Sequence, residues 1–285
     1  MKHRVELPSV LVNIKKIPEL YSIQQDNGDI RIGALTPLKK VYESPIITEN
    51  LSALASAASS VGSYHHQTMG TIGGNICQQN RCKYYNQSQW WRSSRPTCFK
   101  AGGEICHVVN KKEICYSCYC GDVAPALLVL DARIIVQSKD NSREIPLDTL
   151  FSGNGKAHLN LEEGEILTEI IIPGEARDGF STYIKIANRE SIDFPIVGAA
   201  FRGSVKKKEY RVAFTAVDRK PVRGSRVEAF LKGKNLSEKL LEEANQIASK
   251  EASPAKTSTY SPSYKRRMMG LLLRSAIQEA TGREE

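Results

Sequence analysis

The sequence predicts an α+β protein built as two domains, and three observations carry that reading. The chain has 285 residues, and one domain for roughly every 150 residues gives two. Gly164 and Pro173-Gly174 bracket a β-rich run, and the composition shifts there, so a boundary is expected near residue 175. Beyond it, β-rich runs are followed by helical ones, an order that favours an α+β domain. The expected division is 1–174 and a smaller α+β domain over 175–285.

Taken in order, Tyr21-Ser22-Ile23, Asp26-Asn27-Gly28-Asp29 and Ile30-Arg31-Ile32 read as a hairpin across an Asn-Gly turn. Residues 49–60 are rich in Ala and Leu at helical spacing and are expected to lead into a glycine loop. Residues 132–137 and 166–172 are β-rich. In the second half, 181–187, 196–201 and 211–217 read as strands, and 237–249 and 262–280 as helices. Ser237 suits an N-cap and Pro262 a first helical turn. Residues 253–263, rich in Ser, Thr and Pro, read as a connector, and no internal repeat is visible.

The composition is that of an ordinary globular protein, 41% hydrophobic and 25% charged. Its apolar runs, such as 124–130, fall far short of the roughly 18 residues a membrane span requires. The start, Met1-Lys2-His3-Arg4-Val5-Glu6-Leu7-Pro8, carries charge without the apolar core of an export signal, so a cytoplasmic location is expected. Forty basic against thirty-one acidic residues give a net charge of +9. The dense basic clusters, Lys206-Lys207-Lys208 and Lys265-Arg266-Arg267, sit in no nucleic-acid-binding signature and read as solvated faces.

The seven cysteines occupy positions 77, 82, 98, 106, 115, 118 and 120 and no others. In a reducing compartment such clustering points to metal or redox work rather than disulfides, and the odd count opposes a fully paired framework. Buried cysteines acting as small hydrophobes would instead be scattered through apolar stretches. Arg81-Cys82-Lys83 and Thr97-Cys98-Phe99-Lys100 are polar, loop-like settings. Spacing alone leaves zinc and iron–sulfur both open: Cys115-x2-Cys118-x-Cys120 is close, whereas Cys82, Cys98, Cys106 and Cys115 are openly spaced.

A second signal is Met69-Gly70-Thr71-Ile72-Gly73-Gly74-Asn75. Adjacent glycines let the backbone approach a ligand and turn N–H groups toward an anion such as a pyrophosphate. The pattern is neither a dinucleotide fingerprint nor a Walker loop, and the same letters also serve any tight turn.

Together, Thr71-Ile72-Gly73-Gly74-Asn75, a cysteine-bearing insert and Gly121-Asp122-Val123-Ala124-Pro125-Ala126-Leu127 resemble the FAD-binding subunit of the molybdenum hydroxylases, the xanthine dehydrogenase family. The similarity runs along nearly the whole chain. It includes Leu11-Val12-Asn13-Ile14-Lys15-Lys16-Ile17-Pro18-Glu19-Leu20, Ile32-Gly33-Ala34-Leu35, Glu165-Ile166-Leu167-Thr168-Glu169-Ile170-Ile171-Ile172-Pro173 and Ser191-Ile192-Asp193-Phe194-Pro195-Ile196-Val197. Arg81-Cys82-Lys83-Tyr84-Tyr85-Asn86-Gln87-Ser88 and Trp90-Trp91-Arg92 resemble the insert of the branch typified by the β subunit of 4-hydroxybenzoyl-CoA reductase, which carries a [4Fe–4S] cluster.

The resemblance implies a FAD-binding domain of the molybdopterin-dehydrogenase type, incomplete at its N-terminus, followed by the smaller α+β domain. It implies FAD at Thr71, Ile72, Gly73, Gly74 and Asn75, with Asp122, Leu167 and Lys185 also at the cofactor, and a [4Fe–4S] cluster on Cys82, Cys98, Cys106 and Cys115. Cys77, Cys118 and Cys120 receive no role. A core strand residue is the bland alternative for Leu167, and an exposed strand lysine for Lys185.

Relatives carry a further N-terminal glycine loop that completes the pyrophosphate cradle. A separate chain supplying it, a start placed too late and a true absence are the three readings of its lack here. The function implied is an electron-transfer subunit between an external carrier and a molybdopterin-containing large subunit, reached through a [2Fe–2S] small subunit, in a heterotrimer or its dimer. No catalytic residue for the organic substrate is expected on this chain. The competing readings are a zinc-stabilised scaffold that keeps the flavoprotein fold, and a FAD domain with inert cysteines.

Overall fold

In the computed structural model, residues 7–110, 114–204 and 206–282 are described. The charged start at Met1-Lys2-His3-Arg4 and residues 111–113 of the cysteine insert lie outside them. The Asn-Gly turn folds as expected: Asn27 and Gly28 take φ values of 48° and 93°, the paired left-handed geometry that matches strand twist. It joins β1 (Ile23–Asp26) to β2 (Asp29–Gly33).

The helices that follow are short: α1 (Leu38–Glu43), α2 (Pro45–Thr48), α3 (Ser52–Ser59), α4 (Tyr64–Met69), α5 (Ile72–Ile76) and α6 (Gln89–Ser93). Pro45 ends α1 and opens α2, because it cannot donate within a helix but suits its first position. The helix expected over 49–60 therefore begins at Ser52, and α4 intervenes before the glycine loop.

After the insert come α7 (Val123–Val129), β3 (Arg133–Gln137), β4 (Ser142–Pro146) and β5 (Ile166–Ile172). They complete an antiparallel sheet of order β1-β2-β5-β3-β4. The run Ile170-Ile171-Ile172 is fully buried because β5 is central and covered on both faces. β4, absent from the sequence reading, is a polar edge strand whose Arg143 and Glu144 protect an open ladder. α7 was not foreseen either. All seven of its residues are buried, since it packs against β7 and β8 as well as α3 and α5, and so it shows no amphipathic period.

The second sheet has the order β6-β7-β8-β9, from β6 (Phe180–Ile186), β7 (Val197–Ser204), β8 (Glu209–Thr215) and β9 (Val222–Arg223). Three helices follow: α8 (Ser225–Leu231), α9 (Glu238–Ala248) and α10 (Pro262–Thr281). The side chain of Ser237 accepts from Leu240 N, the cap that the sequence indicated for α9, and Pro262 opens α10 as expected, with Ser261 accepting from Tyr264 N as its cap. α10 lays Met269, Leu272, Leu273, Ala276, Ile277 and Ala280 on β6, β7 and α9 at helical spacing. No helix among the described residues is long and apolar enough to cross a membrane.

One expected solvated face fails. Lys206 and Lys207 are exposed, but Lys265 is only 3% exposed and donates from Nζ to Ala216 O at 2.6 Å. It lies at helical spacing with Met269 and Leu272, so the buried stripe of α10 claims it.

Phe201 anchors the second core, fully buried and stacked on Tyr210 at 6.0 Å. Phe201→Ala is expected to lower stability by about 3–5 kcal/mol, read as a lower urea midpoint with an unchanged slope.

Candidate functional site

The glycine loop is built by close approach. Gly73 N donates to Ala34 O at 2.9 Å, and a Cβ on Gly73 would stand 2.8 Å from both Ala34 Cβ and Ala34 O. Gly73 thus lets α5 touch the chain leaving β2. Thr71 caps α5, its hydroxyl accepting from Gly74 N at 3.0 Å. Asn75 Oδ1 accepts from Val123 N at 3.1 Å, which fastens the start of α7 to the loop.

The expectation that this loop turns its N–H groups toward an anion needs correction. Ile72 N donates to Thr36 O at 3.0 Å and Asn75 N to Thr71 O at 2.9 Å, so with Gly73 and Gly74 all four amides from 72 to 75 are engaged within the protein. A short helix and a strand contact have claimed them. The donors left to a ligand are on side chains: the Thr71 hydroxyl hydrogen and Asn75 Nδ2. Thr71, Gly74 and Asn75 line a cavity of about 530 Å3, whereas Ile72 and Gly73 are buried behind it. Lys15, His66 and Gln78 share the lining. Of these, only Lys15 falls in a segment that the sequence reading singled out.

Behind this cavity, Asp122 and Lys185 meet. Lys185 Nζ lies 3.3 Å from Asp122 Oδ1, and the Tyr183 hydroxyl donates to the same oxygen at 2.7 Å. Tyr183 and Lys185 reach it together because they are two apart on β6 and share a face; that spacing is the signal by which Tyr183 could have been found. Lys185 Nζ also donates to Ser60 O at 2.5 Å and Asp193 O at 3.4 Å. It is not an exposed strand lysine. Burial pushes the Asp122 carboxyl up to about 6, against the pull of Lys185 and Tyr183. Leu167 is 8% exposed, opposite Val136 in the first core, and lines no part of this cavity.

The cysteine insert is held at its stem. Arg81 and Cys118 exchange backbone hydrogen bonds at 2.7 Å in both directions, and Cys98 forms a bridge with Ile105, next to Cys106. Burial pushes the Cys82 thiol up to about 11, and the charges of Cys115 and Cys106 add to the rise, so these three thiols lie within electrostatic reach. Ser117 N donates to Cys115 Sγ at 3.4 Å. Among the described residues, however, no three His, Cys, Asp or Glu side chains converge closely enough to hold a metal ion. Cys82, Cys98, Cys106 and Cys115 are thus brought to one lobe without being gathered into one ligand group.

Residues 1–175 match the family described as the FAD binding domain in molybdopterin dehydrogenase, and residues 182–280 match the CO dehydrogenase flavoprotein C-terminal domain. The nicotinate dehydrogenase FAD-subunit of Eubacterium barkeri is 30% identical over 196 residues, 68% of this chain and 53% of that subunit, so the matched stretch spans about half of that relative. The carbon monoxide dehydrogenase medium chain of Hydrogenophaga pseudoflava is 25% identical over 99% of this chain and 85% of its own length. A solved carbon monoxide dehydrogenase from the same species superposes with a TM-score of 0.75 at 24% identity, over 95% of this chain and 81% of that one. A Cu,Mo-CO dehydrogenase superposes with 0.80 at 21%, over 99% and 86%. Both share the fold.

The buried carboxyl sets a pH dependence. Its folded pKa of about 6 lies above the ordinary 3.8. Between those values the native state binds the extra proton, so stability falls as pH rises. Asp122→Asn should remove that part of the slope, about 3 kcal/mol across the interval, measured as wild-type minus variant unfolding free energy at pH 4 and pH 7.

Proposed function

The chain belongs to the FAD-binding family of molybdopterin dehydrogenases, and we propose that it is an electron-transfer subunit holding FAD and one [4Fe–4S] cluster. The relatives are FAD subunits of multi-subunit oxidoreductases, among them carbon monoxide and xanthine dehydrogenases. The observation that carries the flavin assignment is the cavity lined by Thr71, Gly74 and Asn75. Its volume falls in the range of ligand sites, roughly 300–1,000 Å3, and its donors suit an anionic ligand. Gly74, without a side chain, admits a ligand close to the backbone. The Thr71 hydroxyl and Asn75 Nδ2 donate to its oxygens, and Lys15 balances its charge. Asp122 and Lys185 act from behind: the pair holds Ser60, next to Val61 of the cavity wall. Leu167 supports the wall through the core.

For the cluster, the chemistry of the donor set supports the reading, with the four cysteines in one lobe that would have to close around it. Four thiolates suit iron, and the Ser117 N–H on Cys115 Sγ is the kind of hydrogen bond that tunes such a cluster. The ligands in this reading are Cys82, Cys98, Cys106 and Cys115, in an insert of the 4-hydroxybenzoyl-CoA reductase type. Bound FAD exchanges electrons singly or in pairs and a [4Fe–4S] cluster one at a time, so the two link a two-electron reaction to one-electron carriers. The organic substrate reacts on a molybdopterin-containing large subunit, a [2Fe–2S] small subunit lies between, and an external carrier closes the circuit. The flavin and insert belong to a domain over 1–174, the smaller domain to 175–285.

Anaerobically purified protein is expected to carry about four irons and four acid-labile sulfides per chain, with one FAD. Cys98→Ser should lose most of the iron and keep the flavin. Iron unchanged in that variant overturns the ligand set, and zinc with neither iron nor flavin overturns the electron-transfer function.

A further inference from the structure

Cys118 and Cys120 are left without a role by everything above, yet they are the most deliberately placed thiols in the chain. Their backbone is extended between two neighbours. Cys118 exchanges hydrogen bonds with Arg81 on one side, while Tyr119 N donates to Asp218 O and Tyr119 O accepts from Ala216 N, each at 3.0 Å, on the other. In extended chain, residues two apart share a face. Tyr119 therefore points into the first core, where its hydroxyl donates to Ile76 O at 2.9 Å, and the two cysteines point together to the opposite side. There Cys118 Sγ donates to Asp218 O at 3.2 Å and Cys120 Sγ to Cys118 O at 3.6 Å, which holds the two sulfurs side by side.

They face an open cavity of about 310 Å3 that also takes in Arg81, Lys83, Lys265 and one acid, Asp193. Lys265 is 3% exposed and pinned to Ala216 O, and Ala216 packs against both cysteines. A cation is thus fixed beside the sulfurs where a neutral residue would have been cheaper to bury. The neighbouring Cys120 side chain holds Cys118 below the ordinary thiol range despite burial, with Lys265 adding to the effect, and Cys120 is correspondingly pushed up. An asymmetric pair of this kind supplies one attacking and one resolving thiol.

We propose that Cys118 and Cys120 form a redox-active dithiol that exchanges with a low-molecular-weight disulfide entering this cavity. Cys118 sulfur attacks one sulfur of the small disulfide, and the other leaves as a thiol. Cys120 then gives up its proton and attacks the mixed disulfide at Cys118, expelling the second small thiol. The pair is oxidised by two electrons to one protein disulfide and the small disulfide is reduced to two thiols. Three cations against one carboxylate favour an anionic disulfide. Two residues of extended chain span about 6.6 Å, near the upper end of disulfide Cα separations, so the bond closes with strain and is expected to reopen readily under reduction.

Oxidised glutathione on the full chain provides the test, followed by denaturation, alkylation and mass analysis of tryptic peptide 113–133, which carries Cys115, Cys118 and Cys120. The expected product has lost two hydrogens, carries one alkyl group, on Cys115, and reverts to three alkyl groups after dithiothreitol. Cys120→Ser should instead trap one glutathione on Cys118. Three alkyl groups at every oxidant concentration, or a bond that includes Cys115, overturns the proposal. The double variant Cys118→Ser, Cys120→Ser should keep the wild-type metal content; loss of metal would place the pair among the ligands and overturn it equally.

Discussion

A buried ion pair between Asp122 and Lys185 joins the two halves of the molecule. Asp122 stands at the entry to α7, on the helical layer of the first sheet, and Lys185 projects from β6 in the second. Neither charge is near water: their side chains are 4% and 11% exposed. Burying two charges costs several kcal/mol for each ion, and only close geometry with further hydrogen bonds offsets it. Both conditions hold. Tyr183 completes the carboxylate, while the carbonyls of Ser60 and Asp193 complete the ammonium. The pair is therefore better read as a device for position than for stability. It fixes one arrangement of α7, the end of α3 and the loop at Asp193.

The glycine loop depends on the same junction. Asn75 receives Val123 N, one residue past Asp122, so the loop and the ion pair share a backbone. Its two glycines do different work. Gly73 is needed for protein packing against Ala34, and Gly74, which is exposed, leaves room for the Thr71 hydroxyl, 2.9 Å from where a Cβ would stand. A motif of this kind conveys that a backbone must come close to something; it does not say whether that partner is a ligand or another strand. Here both glycines make room for protein atoms, Ala34 and the Thr71 hydroxyl, and the amides themselves are spent within the protein.

Much of the architecture was legible because local chemistry and tertiary need agreed. The Asn27-Gly28 turn, the isoleucine run of β5, the Ser237 cap and Pro262 each carry their own physical cause. What escaped was set by neighbours distant in sequence. α7 looks like an apolar run until the second sheet on one side and α3 and α5 on the other are seen to enclose it. β4 is polar because it is an edge. Lys265 belongs to a basic triplet, yet it is buried by the helical stripe and held by a carbonyl 49 residues away in the chain. Within the site, Thr71, Gly74, Asn75, Asp122 and Lys185 were legible as residues. Tyr183 and the exchange of backbone donors for side-chain ones were not, since both follow from how β6 and α5 dock.

The insert is no independent appendage. Asn80 Nδ2 donates to Ser117 O at 3.0 Å and Arg219 O at 2.6 Å, Lys83 N to Thr257 O at 2.8 Å, and Gly155 N to Cys115 O at 3.1 Å. Its two stems are thus clamped by loops of both sheets, and each clamp lies within two residues of a cysteine at 82, 115 or 118. Tyr119 adds the decisive link, with its hydroxyl on Ile76 O and its backbone between Cys118 and Cys120. Displacement of the glycine loop must therefore be felt at the cysteines, and any rearrangement of the cysteines must pull on the loop, because a packed interior transmits strain rather than absorbing it. Seven residues separate Asn75 from Cys82, at most about 25 Å of extended chain, and the clamps keep the actual path folded. A cavity and a thiol lobe joined this tightly make one mechanical unit.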